Sequence, residues 1–228
     1  MSRQKRSKIT ILFLVFTSAA LLAMAQDDTT HVIPNDPILT YFWRRADATM
    51  VSGNPNDRGV SYSYIATTYY KHIGKSGAVD WTDSLSTAYF FSFGRLDSSK
   101  TRLAPTRGEI PTIRFDAPNV FANDYYLNDF PNDTGGASLP IGFDSDSTLP
   151  NMPTGIAIID RSSYFPRWLY LHYPHEEGYR RFTRSFRFAV RDGFIFPDSI
   201  WEVATKYGLF FPTSYRLETR IDSLTIYR

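Results

Sequence analysis

Apolar and polar residues alternate with period two over long stretches at both ends of the chain, the pattern of half-buried strands. From Val60 to Ile73 there is neither Pro nor Gly. Tyr62, Tyr64, Ala66, Tyr70 and His72 share one parity there, while Ile65, Tyr69 and Ile73 share the other. Both faces are thus partly apolar, as in a sheet covered on one side and contacted on the other. Gly74-Lys75-Ser76-Gly77 predicts a hairpin turn. A second long strand follows from Ala78, interrupted near Asp83-Ser84. It sets Leu85, Thr87, Tyr89, Phe91 and Phe93 on one face until Gly94 ends it.

Near the C-terminus Phe182, Phe186, Phe188 and Val190 alternate with Thr183, Ser185, Arg187 and Arg191, up to the hairpin signal Asp192-Gly193. The stretch Ile200 to Tyr207 fits two elements. Ser199-x-x-Glu202 is a capping box that would open a short helix, whereas Trp201, Val203 and Tyr207 alternate with Glu202, Ala204 and Lys206. Its strand-like neighbours and the following Phe210-Phe211 favour a strand. From Tyr215 to Ile221, the residues Tyr215, Leu217, Thr219 and Ile221 point inward and Arg216, Glu218 and Arg220 outward.

Helical spacing occurs once, where Leu39, Phe42, Trp43 and Ala46 mark a short helix over Ile38 to Met50. Polar residues precede it from Gln26, and turn formers follow it from Ser52 to Gly59. Residues 105–177 hold most of the fourteen prolines and read as irregular, with a short strand at Gly155 to Ile159 and an unassigned Trp168-Leu169-Tyr170-Leu171. The predicted fold is mainly β (α+β): a curved antiparallel sheet or half-barrel with short helices and a long irregular middle segment. Residues 26–59 form a polar leader and short helix, and 60–228 a single β-rich domain with its Pro-rich insert at 105–177.

Residues 1–25 belong to neither pattern. Arg3, Lys5, Arg6 and Lys8 precede an apolar run from Ile9 to Leu22, and Ala23-Met24-Ala25 is an A-x-A exit. This is the build of a cleavable secretory signal. The fourteen-residue run is short of the about 20 apolar residues a membrane helix needs. The expected product starts at Gln26, without a transmembrane anchor, and is periplasmic or secreted. Cleavage also changes the charge. Removing four basic and no acidic residues from 25 and 23 leaves 21 against 23, so no basic excess points to nucleic acid. Without cysteine, disulfide, thiolate and lipobox chemistry are excluded. The 35 aromatic residues left after the signal's Phe13 and Phe16 suit a sheet with a thick apolar face.

Candidate chemistry is sparse. His172-x-x-His175 has a spacing of three with Pro174 between, not the i, i+4 pair of a helical zinc site. Asp144-x-Asp146-x-Thr148 opens like a calcium loop but lacks the glycine and closing glutamate; Asn128, Asp129, Asn132 and Asp133 are the other oxygen donors nearby. Phe130-Pro131-Asn132-Asp133-Thr134-Gly135-Gly136 reads as a capped tight turn. Arg180, Arg181, Arg184 and Arg187 fall on both faces of a strand, so they make no single patch. There is no nucleophile elbow, phosphate loop or dinucleotide fingerprint. No enzyme, metal or cofactor is expected.

The strand order itself carries a resemblance. Long hairpin strands (Tyr62 to Ile73, Ala78 to Phe93) open the chain. Arg191-Asp192-Gly193-Phe194-Ile195-Phe196-Pro197, Trp201-Glu202-Val203 and Tyr215-Arg216-Leu217-Glu218-Thr219-Arg220-Ile221 close it. This resembles the outer-membrane lipoprotein carrier superfamily, over residues 60–97 and 182–227. The resemblance implies a periplasmic half-barrel holding acyl chains of lipids or lipoproteins on its concave face. Tyr89, Phe91, Phe93, Phe186, Phe188 and Val190 are the ligand-binding residues expected from these strands. The alternative is a non-catalytic β-rich envelope module that binds a protein or glycan through exposed Tyr and Trp. A small outer-membrane barrel fits less well, since its strands should cover most of the chain.

Overall fold

The computed structural model describes residues 36–108, 110, 120–129, 135–145, 152–208 and 212–227. The helical spacing becomes α1, Pro37–Gly53. Asp36 caps it by accepting from the Ile38 amide at 2.7 Å, and Pro37 occupies the first turn, where no N–H is needed. Leu39, Trp43 and Ala46 form its buried stripe.

Ten strands follow: β1 Ser61–Ile73, β2 Val79–Ser92, β3 Arg95–Leu103, β4 Tyr126–Asp129, β5 Ser138–Asp144, β6 Thr154–Asp160, β7 Pro166–Tyr173, β8 Tyr179–Arg191, β9 Phe194–Lys206 and β10 Thr213–Tyr227. They form one antiparallel sheet in the order β3-β2-β1-β10-β9-β8-β7-β6-β5-β4. β1 therefore docks on β10, and the chain passes from one sheet edge to the other between β3 and β4. The fold is mainly β, an open curved sheet with α1 over one face.

Continuous rungs of side chains hold that face together. One runs Leu85–Thr68–Thr219–Ile200–Phe186–Leu169–Ala157–Ile141 across eight strands. All of its members except the half-buried Leu85 are buried. Its two threonines satisfy each other, with Oγ1 atoms 2.8 Å apart. Tyr215, Leu217 and Thr219 are buried and Arg216 and Arg220 exposed, the arrangement their alternation predicts.

Three departures from the sequence reading have physical causes. The middle segment holds more strands than the one read at Gly155 to Ile159: β4 to β7 build one flank of the sheet, with that strand inside β6 and Trp168-Leu169-Tyr170-Leu171 within β7. Asp83-Ser84 does not interrupt β2, because Asp83 turns its carboxylate to the Thr106 and Arg107 amides, at 2.7 and 2.8 Å. β3, whose sequence RLDSSKTRL has no apolar face, is a fully exposed edge strand. Its mixed charges discourage further pairing. These strands also remove the coverage argument against a membrane barrel, but two others stand. The large buried sheet residues form one core cluster with Leu39, Trp43 and Ala46 of α1, rather than an outward apolar band as in lipid-facing strands. The sheet is also open at β3 and β4 among the described residues. No described helix is long and apolar enough to cross a membrane.

The β6–β7 turn is organised by Asp160. Its Oδ1 accepts from the Ser162 and Ser163 amides at 3.1 and 3.0 Å and from their hydroxyls at 2.6 and 3.0 Å, and Arg167 Nη2 donates to Oδ2 at 2.6 Å. The Ser162 hydroxyl and then the guanidinium hold this carboxyl well below the usual range. A depressed folded-state pKa stabilises above the unfolded value of about 3.9, and that stability is lost as pH falls through the folded value. Asp160→Asn is therefore expected to lower the unfolding free energy by about 1.5–3 kcal/mol at neutral pH. In urea titrations at several pH values, the gap from the native protein should shrink below about pH 4.

Candidate functional site

Two regions of the helix-bearing face carry unusual side chains, one on each side of the central rung along the strands. The first lies where α1 ends. A Cβ on Gly53 would stand 2.5 Å from Ile195 Cδ1, so a larger residue here would require the Ile195 side chain to move. The chain then turns through Asn54, whose Nδ2 donates to Asp57 Oδ2 at 2.8 Å while its Oδ1 accepts from the Asn56 amide at 3.0 Å. Tyr62 donates to Asn56 Oδ1 at 2.7 Å and ties this loop to β1. Gly94, at φ 76°, lets the β2–β3 turn approach the loop; a Cβ there would meet the Asn56 carbonyl oxygen at 2.1 Å.

Beneath the loop is a cavity of about 240 Å³, walled by Tyr62, Tyr64, Phe91, Phe188, Phe196 and Met50. Tyr62 stacks on Phe91 with centroids 4.4 Å apart and meets Phe196 edge-on at 5.3 Å. Tyr89 abuts Tyr64 at 5.0 Å and backs the wall. The far side of α1 is plugged, with Trp43 packed on Phe121 at 4.6 Å and Phe143 at 5.1 Å.

The structure divides the six residues expected to bind a ligand. Phe91 and Phe188 line this cavity and Tyr89 supports it. Phe186 is fully buried in the central rung. Phe93 does not continue the β2 face. It is the first residue of the two-residue turn, at φ 50°, and is 80% exposed. Val190 sits two residues before the Asp192-Gly193 turn and is 54% exposed. Parity placed both inward, but the strand alternation stops at the turn and the covering helix does not reach either. The cavity's Tyr62, Tyr64 and Phe196 were legible only as core alternation.

The second region is polar, and the sequence did not announce it. Glu202, 2% exposed, points to the core from β9. Arg184 Nη2 donates to its Oε2 at 2.7 Å, and the Tyr215 hydroxyl to its Oε1 at 2.7 Å. Tyr179 lies 3.3 Å from Tyr215, hydroxyl to hydroxyl, and Lys206 Nζ lies over both rings at 5.4 and 5.6 Å. Burial, reinforced by the negative Glu202, pushes the Tyr215 hydroxyl far up, so it stays a proton donor. Burial also pushes Tyr173 up to about 12. Both oxygens of the Glu202 carboxylate are bonded within the cluster, which suits a structural tie rather than a reacting centre.

Of the metal-like motifs, Asn128, Asp129, Asp144 and His172 line one open pocket. His172 is on β7 and His175 in the turn beyond it, and Asp144 ends β5; Asp146, Asn132 and Asp133 lie outside the described residues, as does most of the 130–136 turn. Among the described residues no three His, Asp or Glu side chains converge as metal ligands.

Fold and cavity together define a class: an open antiparallel half-barrel with a helix over an apolar, aromatic-lined face. No family model matches the chain, and no curated protein matches it. Among solved structures it is similar to a LolA superfamily protein from Nitrosomonas europaea, with 9% identity and a TM-score of 0.38 over 83% of this chain and 94% of that one. It is also similar to a domain described as an outer membrane lipoprotein-sorting protein from Vibrio parahaemolyticus, with 9% identity and a TM-score of 0.40 over 82% and 91%. A complex of MucB with MucA matches at 10% identity and a TM-score of 0.23, over 80% and 99%.

Proposed function

We propose that this is an exported envelope protein that takes the end of an acyl chain, from a lipid or lipoprotein, into the aromatic cavity at the C-terminal end of α1. The observation that carries the reading is the cavity itself: five aromatic rings from β1, β2, β8 and β9 face one gap that neither the helix nor the rungs fill. Its volume of about 240 Å³ is below the roughly 300–1,000 Å³ of pockets that enclose a drug-sized molecule. As it stands, it accepts a chain end; a longer chain requires the 54–59 loop and the end of α1 to move outward. Each buried methylene contributes about 0.8 kcal/mol, so six give about 5 kcal/mol before association costs of similar size. Tight binding therefore depends on that opening.

The test is saturable binding of an environment-sensitive hydrophobic dye to the folded monomer, with displacement by a fatty acid but not by a soluble sugar. Phe91→Asp and Phe188→Asp place a charge in the gap and are expected to weaken dye binding at least tenfold. Phe91 is only half-buried, so its variant should keep the native circular dichroism spectrum even if the Phe188 variant does not. Dye uptake that occurs only on partial unfolding, or that survives Phe91→Asp in a folded protein, refutes the proposal.

A further inference from the structure

The sheet is split along part of its centre. β9 and β10 pair from Lys206 opposite Thr213 to Ser199 opposite Arg220, and there the ladder ends. Both strands continue. Phe194 to Pro197 of β9 stay paired with β8, and Ile221 to Tyr227 of β10 stay paired with β1. A bulge lies at the split on each side: the β8–β9 register shifts between Arg187 and Phe188, and the β1–β10 register between Ile65 and Ala66. The residues left over are Asp198 and Asp222. Bulges bend and overtwist their strands, and these two turn β9 and β10 away from each other.

The gap is a cleft of about 410 Å³, walled by Arg191, Asp192, Pro197, Asp198, Asp222 and Ser223. Its mostly polar wall does not suit an acyl chain. It does suit backbone. In a sheet, alternate N–H and C=O groups of a strand point to each neighbour, so the half of the β10 groups not directed at β1 faces the cleft. Unpaired strand edges are templates for a further strand. Pro197 blunts the β9 side, since it has no N–H to offer, which leaves β10 as the pairing edge. One strand residue with its side chains occupies roughly 3.4 × 4.8 × 10 Å, about 160 Å³, so the cleft holds two to three residues. The charge of the wall is also one-sided. Asp192, Asp198 and Asp222 face one Arg191 from within the cleft; Arg187 engages Asp198 and the Thr67 hydroxyl donates to Asp222.

We infer that the cleft between β9 and β10 binds a short extended peptide segment carrying Lys or Arg, which adds a strand to the Ile221–Tyr227 edge. This site is separate from the acyl cavity, although Phe196 and Pro197 wall both.

The probe is a fluorescein-labelled, acetylated and amidated Val-Lys-Val-Lys-Val peptide, titrated against the exported protein at low salt by fluorescence anisotropy. Saturable binding is expected, at least tenfold weaker for Val-Glu-Val-Glu-Val and for the Lys peptide N-methylated at alternate residues. The Asp192→Asn/Asp222→Asn double variant should bind at least fivefold more weakly. Amide exchange should slow at Ile221 to Tyr227 and not at the exposed β3 edge. Absence of saturable binding, equal binding of the N-methylated peptide, or protection of β3 instead would overturn strand addition. Equal affinity for the Glu peptide, or an unaffected double variant, would overturn the assignment of a basic partner.

Discussion

Glu202→Ala is expected to lower the unfolding free energy by about 3 kcal/mol, because it removes the acceptor of the buried Tyr215 hydroxyl and of the half-buried Arg184 at once. Breaking a buried ion pair from one side costs roughly 3–5 kcal/mol, mostly as the penalty of the charge left behind. The low end applies, since the Arg184 side chain keeps 28% of its exposure and water can reach part of the guanidinium. The Tyr215 hydroxyl, in a residue 2% exposed, has Tyr179 at 3.3 Å as its remaining partner. Urea denaturation of the single variant and of Arg184→Leu/Glu202→Leu separates the two contributions. The double variant should recover most of the loss, because it strands no charge in the rung. A cost below about 1 kcal/mol for Glu202→Ala would mean that water replaces the carboxylate, and the cluster would then not tie β8, β9 and β10 together.

Phe186→Ala should cost about 3–5 kcal/mol, the range for deleting a fully buried ring whose surroundings cannot close the gap. Phe186 is 0% exposed, lies between Ile200 and Leu169 in the central rung, and stacks with Phe188 at 6.0 Å. The rigid sheet on both sides prevents collapse into the space it leaves. Val190→Ala, four residues along the same strand and 54% exposed, should stay within about 0.5 kcal/mol. Thermal or chemical denaturation of the two variants checks the contrast. Similar costs would mean that the helix-bearing face extends to the β8–β9 turn. Phe186→Leu is the companion variant: it keeps most of the volume and lines no part of the cavity, so dye binding should persist.

The sequence by itself determined the terminal strands, the shared parity of Tyr62 to Tyr70, the inward parity of Tyr215 to Thr219, the turns at Gly74 to Gly77 and at Asp192-Gly193, and the one described α-helix. Each rests on a local signal, either a period or a turn residue, that needs no distant partner. Phe91 and Phe188 were legible as cavity residues for the same reason, although the identical pattern includes Phe186, Phe93 and Val190. Nothing local distinguishes a ring packed between rungs from one facing a gap, or a strand residue from one at a turn.

Tertiary structure decided the rest. β3 has no apolar face and exists because the Phe93-Gly94 turn returns it alongside β2. β4, β5 and β7 lie among prolines without a clear period and are strands because they pair beside β6 and β8 in the sheet. The clearest case is Arg184. Counted back from the Asp192-Gly193 turn without interruption, it would face Trp201. The bulge near Phe188 and Pro197 shifts the register by one residue, so it meets Glu202, and Trp201 turns away from the core. Because strand side chains alternate with a period of two, that single inserted residue inverts every face beyond it. It creates the buried ion pair and helps to open the cleft, and no periodicity in the chain could have revealed it.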